Sequence, residues 1–212
     1  MQTSSKAGWL ALLLALIGLA GGARAGDSAP AGIFDRREIH STNNAQFTQW
    51  RDLLARWERE RRQFMPQEWE HLRDEVKALP DRDKLVRIND AFNRRPYVPS
   101  EANWGTANHW ETPREFLQRS GQCQDYAIAK FLMLRAAGFP DARLRVVVVR
   151  DEKIDEDHAV LVAYIGNEAW LLDNLIARVV PVSEIHHYRP YYAINETGWW
   201  LYLPWEEEKT KS

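Results

Sequence analysis

The order of elements along this chain predicts an α+β fold: amphipathic helices first, then a helix bearing the single cysteine, then an antiparallel sheet. Three observations predict it. Apolar residues recur at helical spacing in Phe47, Trp50, Leu53, Leu54 and Trp57, in Trp69, Leu72, Val76 and Leu79, and in Leu85, Ile88 and Phe92. The run from Cys123 to Leu134 is apolar on most sides. Beyond it, Leu144 to Val149, Ala159 to Ile165 and Trp170 to Leu175 are short, strand-like runs.

The early helices carry Arg, Asp and Glu between their apolar stripes, so their tryptophans read as core rather than as a binding surface. Asn93 to Asn103 is polar and proline-containing and reads as a connecting loop. Thr112 caps a short helix, with Pro113 in its first position and Glu115 closing a capping box. The next helix begins at Gln122 or Cys123, turns Ala127, Ile128, Phe131, Leu132 and Leu134 inward, and stops at Gly138 before Pro140. Gly166-Asn167 marks a hairpin turn between the second and third strands.

The first 25 residues read as a secretory signal peptide. A short polar start with Lys6 precedes the apolar run Ala7 to Ala20, and Ala23-Arg24-Ala25 supplies the small residues of a cleavage site. That run is too short to span a hydrocarbon core of roughly 30 Å comfortably, so an exported product is expected, cleaved after Ala25 and no longer membrane-spanning, with an uncleaved N-terminal anchor as the alternative. Residues 26–212 are expected to form one domain, with a helical part at about 43–95 and a catalytic part at about 96–203. Removing the leader takes away Lys6 and Arg24 and moves the formal charge from −2 to −4, which gives no support for nucleic acid as a partner. A lone thiol in an oxidising compartment cannot form an intramolecular disulfide, which leaves chemistry or packing as its use.

Cys123 sits at a helix N-terminus, where the helix dipole favours a thiolate. A nearby imidazolium would favour it further, and His158 is the best placed of the six histidines because it opens the second strand after the charged loop Asp151 to Asp157. Asp173 lies in WLLDNL on the strand expected to pair with it. A hairpin turning at Gly166-Asn167 sets residues opposite when their numbers sum to about 333, which puts His158 and Asp173 within about one strand pair. A carboxylate among such apolar neighbours needs a partner. Each residue alone has an ordinary reading as a small hydrophobe, a satisfied polar side chain or a turn cap. Their coincidence in Cys, His, Asp order points to nucleophilic catalysis.

FNRRPYV, NWGTANHWETPREFLQRSGQCQDYAIAKFLMLRAAGF, DHAVLVAY, WLLDNL and PYYAINETGWWLY together resemble the bacterial transglutaminase-like cysteine proteinases, the LapG-type periplasmic proteases that release large biofilm adhesins. The resemblance covers roughly residues 85 to 202. It implies a transglutaminase/papain-like core in which Cys123 attacks a peptide carbonyl, His158 protonates the leaving amine and Asp173 fixes the imidazole. The backbone N–H of Cys123 is the natural oxyanion donor, with the indole of Trp104 or Trp110 as candidate for the second. It also implies a protein substrate, an exported adhesin above all, and an inner-membrane receptor as regulator. The chain departs from the family where LapG-type members bind calcium through an Asp-Cys-Glu-Asp pattern. Here Gln122 and Gln124 flank the cysteine and only Asp125 remains, which implies weak or absent calcium binding and no required cofactor. The acidic loop from Asp151 to Asp157 reads as solvated rather than as a replacement calcium site, and His186-His187 as surface. A catalytically inactive binding protein on the same fold is the alternative, and a transglutaminase proper is a third reading.

Overall fold

The computed structural model describes residues 33–203, so the expected signal peptide lies outside the described residues. Six α-helices and a seven-stranded antiparallel sheet make up the described part. Three amphipathic helices come first, α1 (Thr48–Gln63), α2 (Gln67–Lys77) and α3 (Asp81–Asn93). The short α4 (Ser100–Trp104) and α5 (Pro113–Arg119) lead into the central α6 (Cys123–Ala136). The sheet is built from β1 (Glu38–Ser41), β2 (Leu144–Asp151), β3 (Glu156–Ile165), β4 (Glu168–Leu172), β5 (Val180–Pro181), β6 (Tyr188–Ile194) and β7 (Trp199–Tyr202), in the order β1-β7-β6-β2-β3-β4-β5.

The core forms where the helical stripes meet one face of the sheet. Trp50, Leu53 and Trp57 of α1, Trp69, Leu72 and Val76 of α2, and Leu85, Ile88 and Phe92 of α3 are buried, as the 3.6-residue period requires. An aromatic chain then runs from Trp57 to Trp69, Phe92, Phe116 and Tyr126, with ring centroids 4.8–6.3 Å apart, and ends at the first turn of α6. Helix α6 is buried on every side from Gln124 to Leu134, because it packs between the other helices and strands β2 and β3. Burial of each of its large apolar side chains contributes about 1.5–3 kcal/mol. The sheet alternates as a pleated structure must: Val146, Val148, Leu161 and Ala163 join the helical core, whereas Val147, Val160, Val162 and Tyr164 form a second cluster on the other face.

The β3–β4 hairpin has the expected register, with Leu161 opposite Leu172 and Ile165 opposite Glu168. Three boundaries differ from the sequence reading. Strand β2 continues to Asp151 and β3 starts at Glu156, so the expected loop is a tight turn and His158 lies inside a strand rather than opening one. Strand β4 ends at Leu172, which leaves Asp173 just beyond it, where no ladder partner fixes the backbone. The segment expected as a loop from 93 to 103 contains the start of α4, whose left-handed Gly105 closes the turn. The edge strand β1 is tied down by a buried ion pair between Arg145 and Glu38, 2.7 Å apart, with the guanidinium stacked on Trp200. Among the described residues no helix is long and apolar enough to cross a membrane.

Candidate active site

Strand pairing gathers three side chains at one end of the sheet. His158 is near the start of β3, Asp173 just past the end of β4, and Tyr188 begins β6, which meets the end of β2 at Asp151. His158 Nε2 lies 2.8 Å from Asp173 Oδ1, with both side chains buried. The same Oδ1 accepts the backbone N–H of Leu175 at 2.8 Å, and Oδ2 accepts the Tyr188 hydroxyl at 2.6 Å. The carboxylate therefore holds three hydrogen bonds, which is what a buried charge requires.

Helix α6 delivers Cys123 to this cluster, half-buried at its first helical position. Cys123 is close enough to His158 to raise its imidazole, and Nε2 is the ring nitrogen committed to Asp173. Burial opposes a charged imidazole, but the hydrogen bond and charge of Asp173, with the influence of Cys123, outweigh it and hold His158 up at about 10. Burial likewise disfavours the Asp173 carboxylate, and the hydrogen bond and charge of His158, with Tyr188 and Leu175, bring it below the usual range. An imidazolium beside a thiol at a helix N-terminus is the arrangement that generates a nucleophilic thiolate at neutral pH.

The turn into α6 is built by Asp125. Its Oδ2 accepts the N–H of Gln122 and its Oδ1 the N–H of Glu111, each at 2.9 Å, so the carboxylate caps the helix and ties it to the segment before α5. Gly121 makes this possible, since a Cβ there would lie 2.6 Å from Asp125 Oδ2. Burial and the neighbouring Glu111 push the Asp125 carboxyl well above the usual range. Gln122 Oε1 accepts the Ser100 N–H at 3.3 Å, and Gln124 Oε1 faces Cys123 Sγ at 3.6 Å. The donors flanking the cysteine are thus two neutral amides and one carboxylate whose oxygens already serve backbone N–H groups, a weaker set for calcium than charged flanks would be. Among the described residues no group of three His, Cys, Asp or Glu side chains is arranged to hold a metal.

Other sequence-based candidates are engaged elsewhere. Trp104 donates its indole N–H to Glu111 Oε1 at 2.6 Å and Trp110 donates its own to Asn108 at 3.0 Å, so neither is presented to an oxyanion. In the acidic loop, Asp151 is buried, accepts the Lys153 N–H and faces His187 at 4.0 Å, while Arg150 pairs with Asp155 and Asp157. His187 is accordingly half-buried against Tyr188 rather than a surface residue, and His186 is exposed. Tyr188 was not legible from the sequence: it lies 15 residues from Asp173 and is brought there by the β2–β6 pairing.

A model of the family described as bacterial transglutaminase-like cysteine proteinase matches residues 61–205. Structures of LapG from Legionella pneumophila share the fold. The calcium-bound form is 25% identical with a TM-score of 0.59, covering 73% of this chain and 86% of its own. A second LapG structure and an EGTA-treated one, also 25% identical, give TM-scores of 0.58 and 0.57, and each match covers 73% of this chain and 84% of the other. No curated protein sequence matches.

Proposed function

This chain belongs to the bacterial transglutaminase-like cysteine proteinase family and is a cysteine peptidase, and from that premise we propose that it cleaves a large exported adhesin, or a similar exported protein, in the periplasm with a Cys123-His158-Asp173 triad. The observation that carries this is the buried 2.8 Å hydrogen bond between His158 and Asp173 beside the only thiol, with the imidazole held in its charged form.

The steps follow from those positions. The Cys123 thiolate attacks the scissile carbonyl carbon, and the carbonyl oxygen takes the negative charge beside the Cys123 N–H, one of the helix N-terminal donors that lack an intrahelical acceptor. The C–N bond then breaks as His158 gives its Nδ1 proton to the departing amine, leaving a thioester. Water attacks the thioester and returns a proton to His158. The acid product leaves and the ion pair is restored. Asp173 holds the imidazole by Nε2 throughout, and Tyr188 holds Asp173. Two exposed side chains support docking of an extended chain: Leu175, whose N–H binds Asp173, and Tyr97, whose backbone pairs with Gly121 just before Cys123.

The reaction runs without calcium in this reading, because the Gln122, Gln124 and Asp125 set is weaker for the ion than charged flanks would be. Location in the periplasm rests on the leader-like residues 1–25, and control by an inner-membrane receptor on the family resemblance. The test is to incubate the processed protein with an extended segment of a large exported adhesin from the same organism. Wild type yields two fragments and Cys123→Ala yields none; equal cleavage by the two would exclude the thiol.

A further inference from the structure

Between the end of β4 at Leu172 and the start of β5 at Val180, the backbone that carries Asp173 has no ladder to lie on. Its carbonyls are satisfied from a helix instead. Asn93 Nδ2 donates to Asp173 O at 2.7 Å, Asn89 Nδ2 to Ala177 O at 2.9 Å, and an Arg82 N–H to Val179 O at 2.8 Å. Positions 82, 89 and 93 are spaced by seven and four residues, so they form one stripe of α3. The helix runs antiparallel to the segment and does for it what a neighbouring strand does elsewhere. Arg82 also lies 3.8 Å over the ring of Trp170 in β4, which anchors the far end.

Behind this stripe stands Lys130 of α6, fully buried, with Nζ donating to Asn89 Oδ1 at 2.9 Å. A carbonyl only accepts, so Ala177 and Lys130 between them leave Asn89 one orientation. Among the described residues no carboxylate forms an ion pair with Lys130, and an ammonium buried against a neutral amide is a net cost to the fold. Burial brings its ammonium down to about 7, and the pull of Asp173 opposes that fall.

We propose that Arg82, Asn89 and Asn93, with Lys130 locking Asn89, are positioning residues that hold the 173–179 segment so that the Asp173 carboxylate meets His158. This rests on the triad reading above. The N-terminal helices are then part of the catalytic apparatus and not only its packing.

Two readouts that need no substrate test it: the nuclear magnetic resonance signal of the proton shared by His158 Nε2 and Asp173, and the rate of Cys123 alkylation by iodoacetamide at pH 6. Asn93→Leu removes the donor nearest Asp173 while keeping the branched heavy-atom skeleton. Asn89→Asp gives Lys130 an anionic acceptor while taking the donor from Ala177, so it keeps the fold and disturbs only the segment. Both variants should lose or shift the shared-proton signal and alkylate about ten-fold more slowly, with Asn89→Asp melting no lower than wild type. An unchanged signal and a rate within about two-fold of wild type in folded Asn89→Asp overturns the proposal, whether or not Asn93→Leu folds. A wild-type protein that shows the signal but cleaves no adhesin counts against the proposed function alone.

Discussion

Tyr188 donates its phenolic hydrogen to Asp173 Oδ2 at 2.6 Å, on the oxygen that His158 leaves free. The carboxylate is gripped from both sides, so its plane and that of the imidazole are set by residues of three different strands or strand ends.

Tyr188→Phe should therefore lower both stability and turnover. Loss of a hydrogen bond to a buried charge costs about 1.5–3 kcal/mol, and a misaligned carboxylate of that energy should reduce kcat roughly ten- to hundred-fold. Urea unfolding and adhesin cleavage measured on the same preparation check this. Unchanged kcat in a destabilised variant would make the tyrosine a packing residue only.

The raised His158 sets a pH dependence with a definite sign. A group protonated more readily in the folded than in the unfolded state stabilises fully below its unfolded value near 6.5, and that contribution is lost as pH rises toward about 10. The stability gap between wild type and His158→Gln should thus shrink from pH 6 to pH 10. Chemical denaturation at several pH values measures it, and a gap that widened with pH would contradict the imidazolium.

Calcium should be dispensable. With two amides and one committed carboxylate beside Cys123, calorimetric titration should show no binding up to about 1 mM calcium, and chelator should leave cleavage unchanged. Tight binding, or activity abolished by chelator, would refute this.

The cap at the start of α6 should matter more for the fold than its exposed neighbours do. Asp125→Ala leaves the N–H groups of Gln122 and Glu111 unpaired and should cost about 2–4 kcal/mol. Gly121→Ala should cost a similar amount by driving a methyl into Asp125 Oδ2. Thermal melting of both variants checks it, and a Gly121→Ala protein as stable as wild type would show that the carboxylate can move aside.

What was legible in the sequence was local. The helical stripes, the Thr112 capping box and the Gly166-Asn167 turn each depend on residues within one or two turns of chain, and each is present. The meeting of His158 with Asp173 was legible because a hairpin register is arithmetic once its turn is known. Strands β1, β6 and β7 were not, since their pairing joins Glu38 to Tyr202 and Val146 to Ile194 across long separations. The indoles of Trp104 and Trp110 illustrate the same limit from the other side. Residue type makes each a candidate donor, but Glu111 and Asn108 had already taken the hydrogens, and only the fold reveals it.

The two ends of the sheet bear on how a substrate arrives. Its outermost strands, β1 and β5, are four and two residues long among the described residues. So little unpaired backbone gives an incoming extended chain almost nothing to zip onto, and it gives a second copy of the protein equally little. Capture of the polypeptide to be cut must then rely on side chains around the mouth of the Cys123 helix. Discrimination between targets would accordingly track the chemistry of a few substrate residues rather than a willingness to adopt a strand.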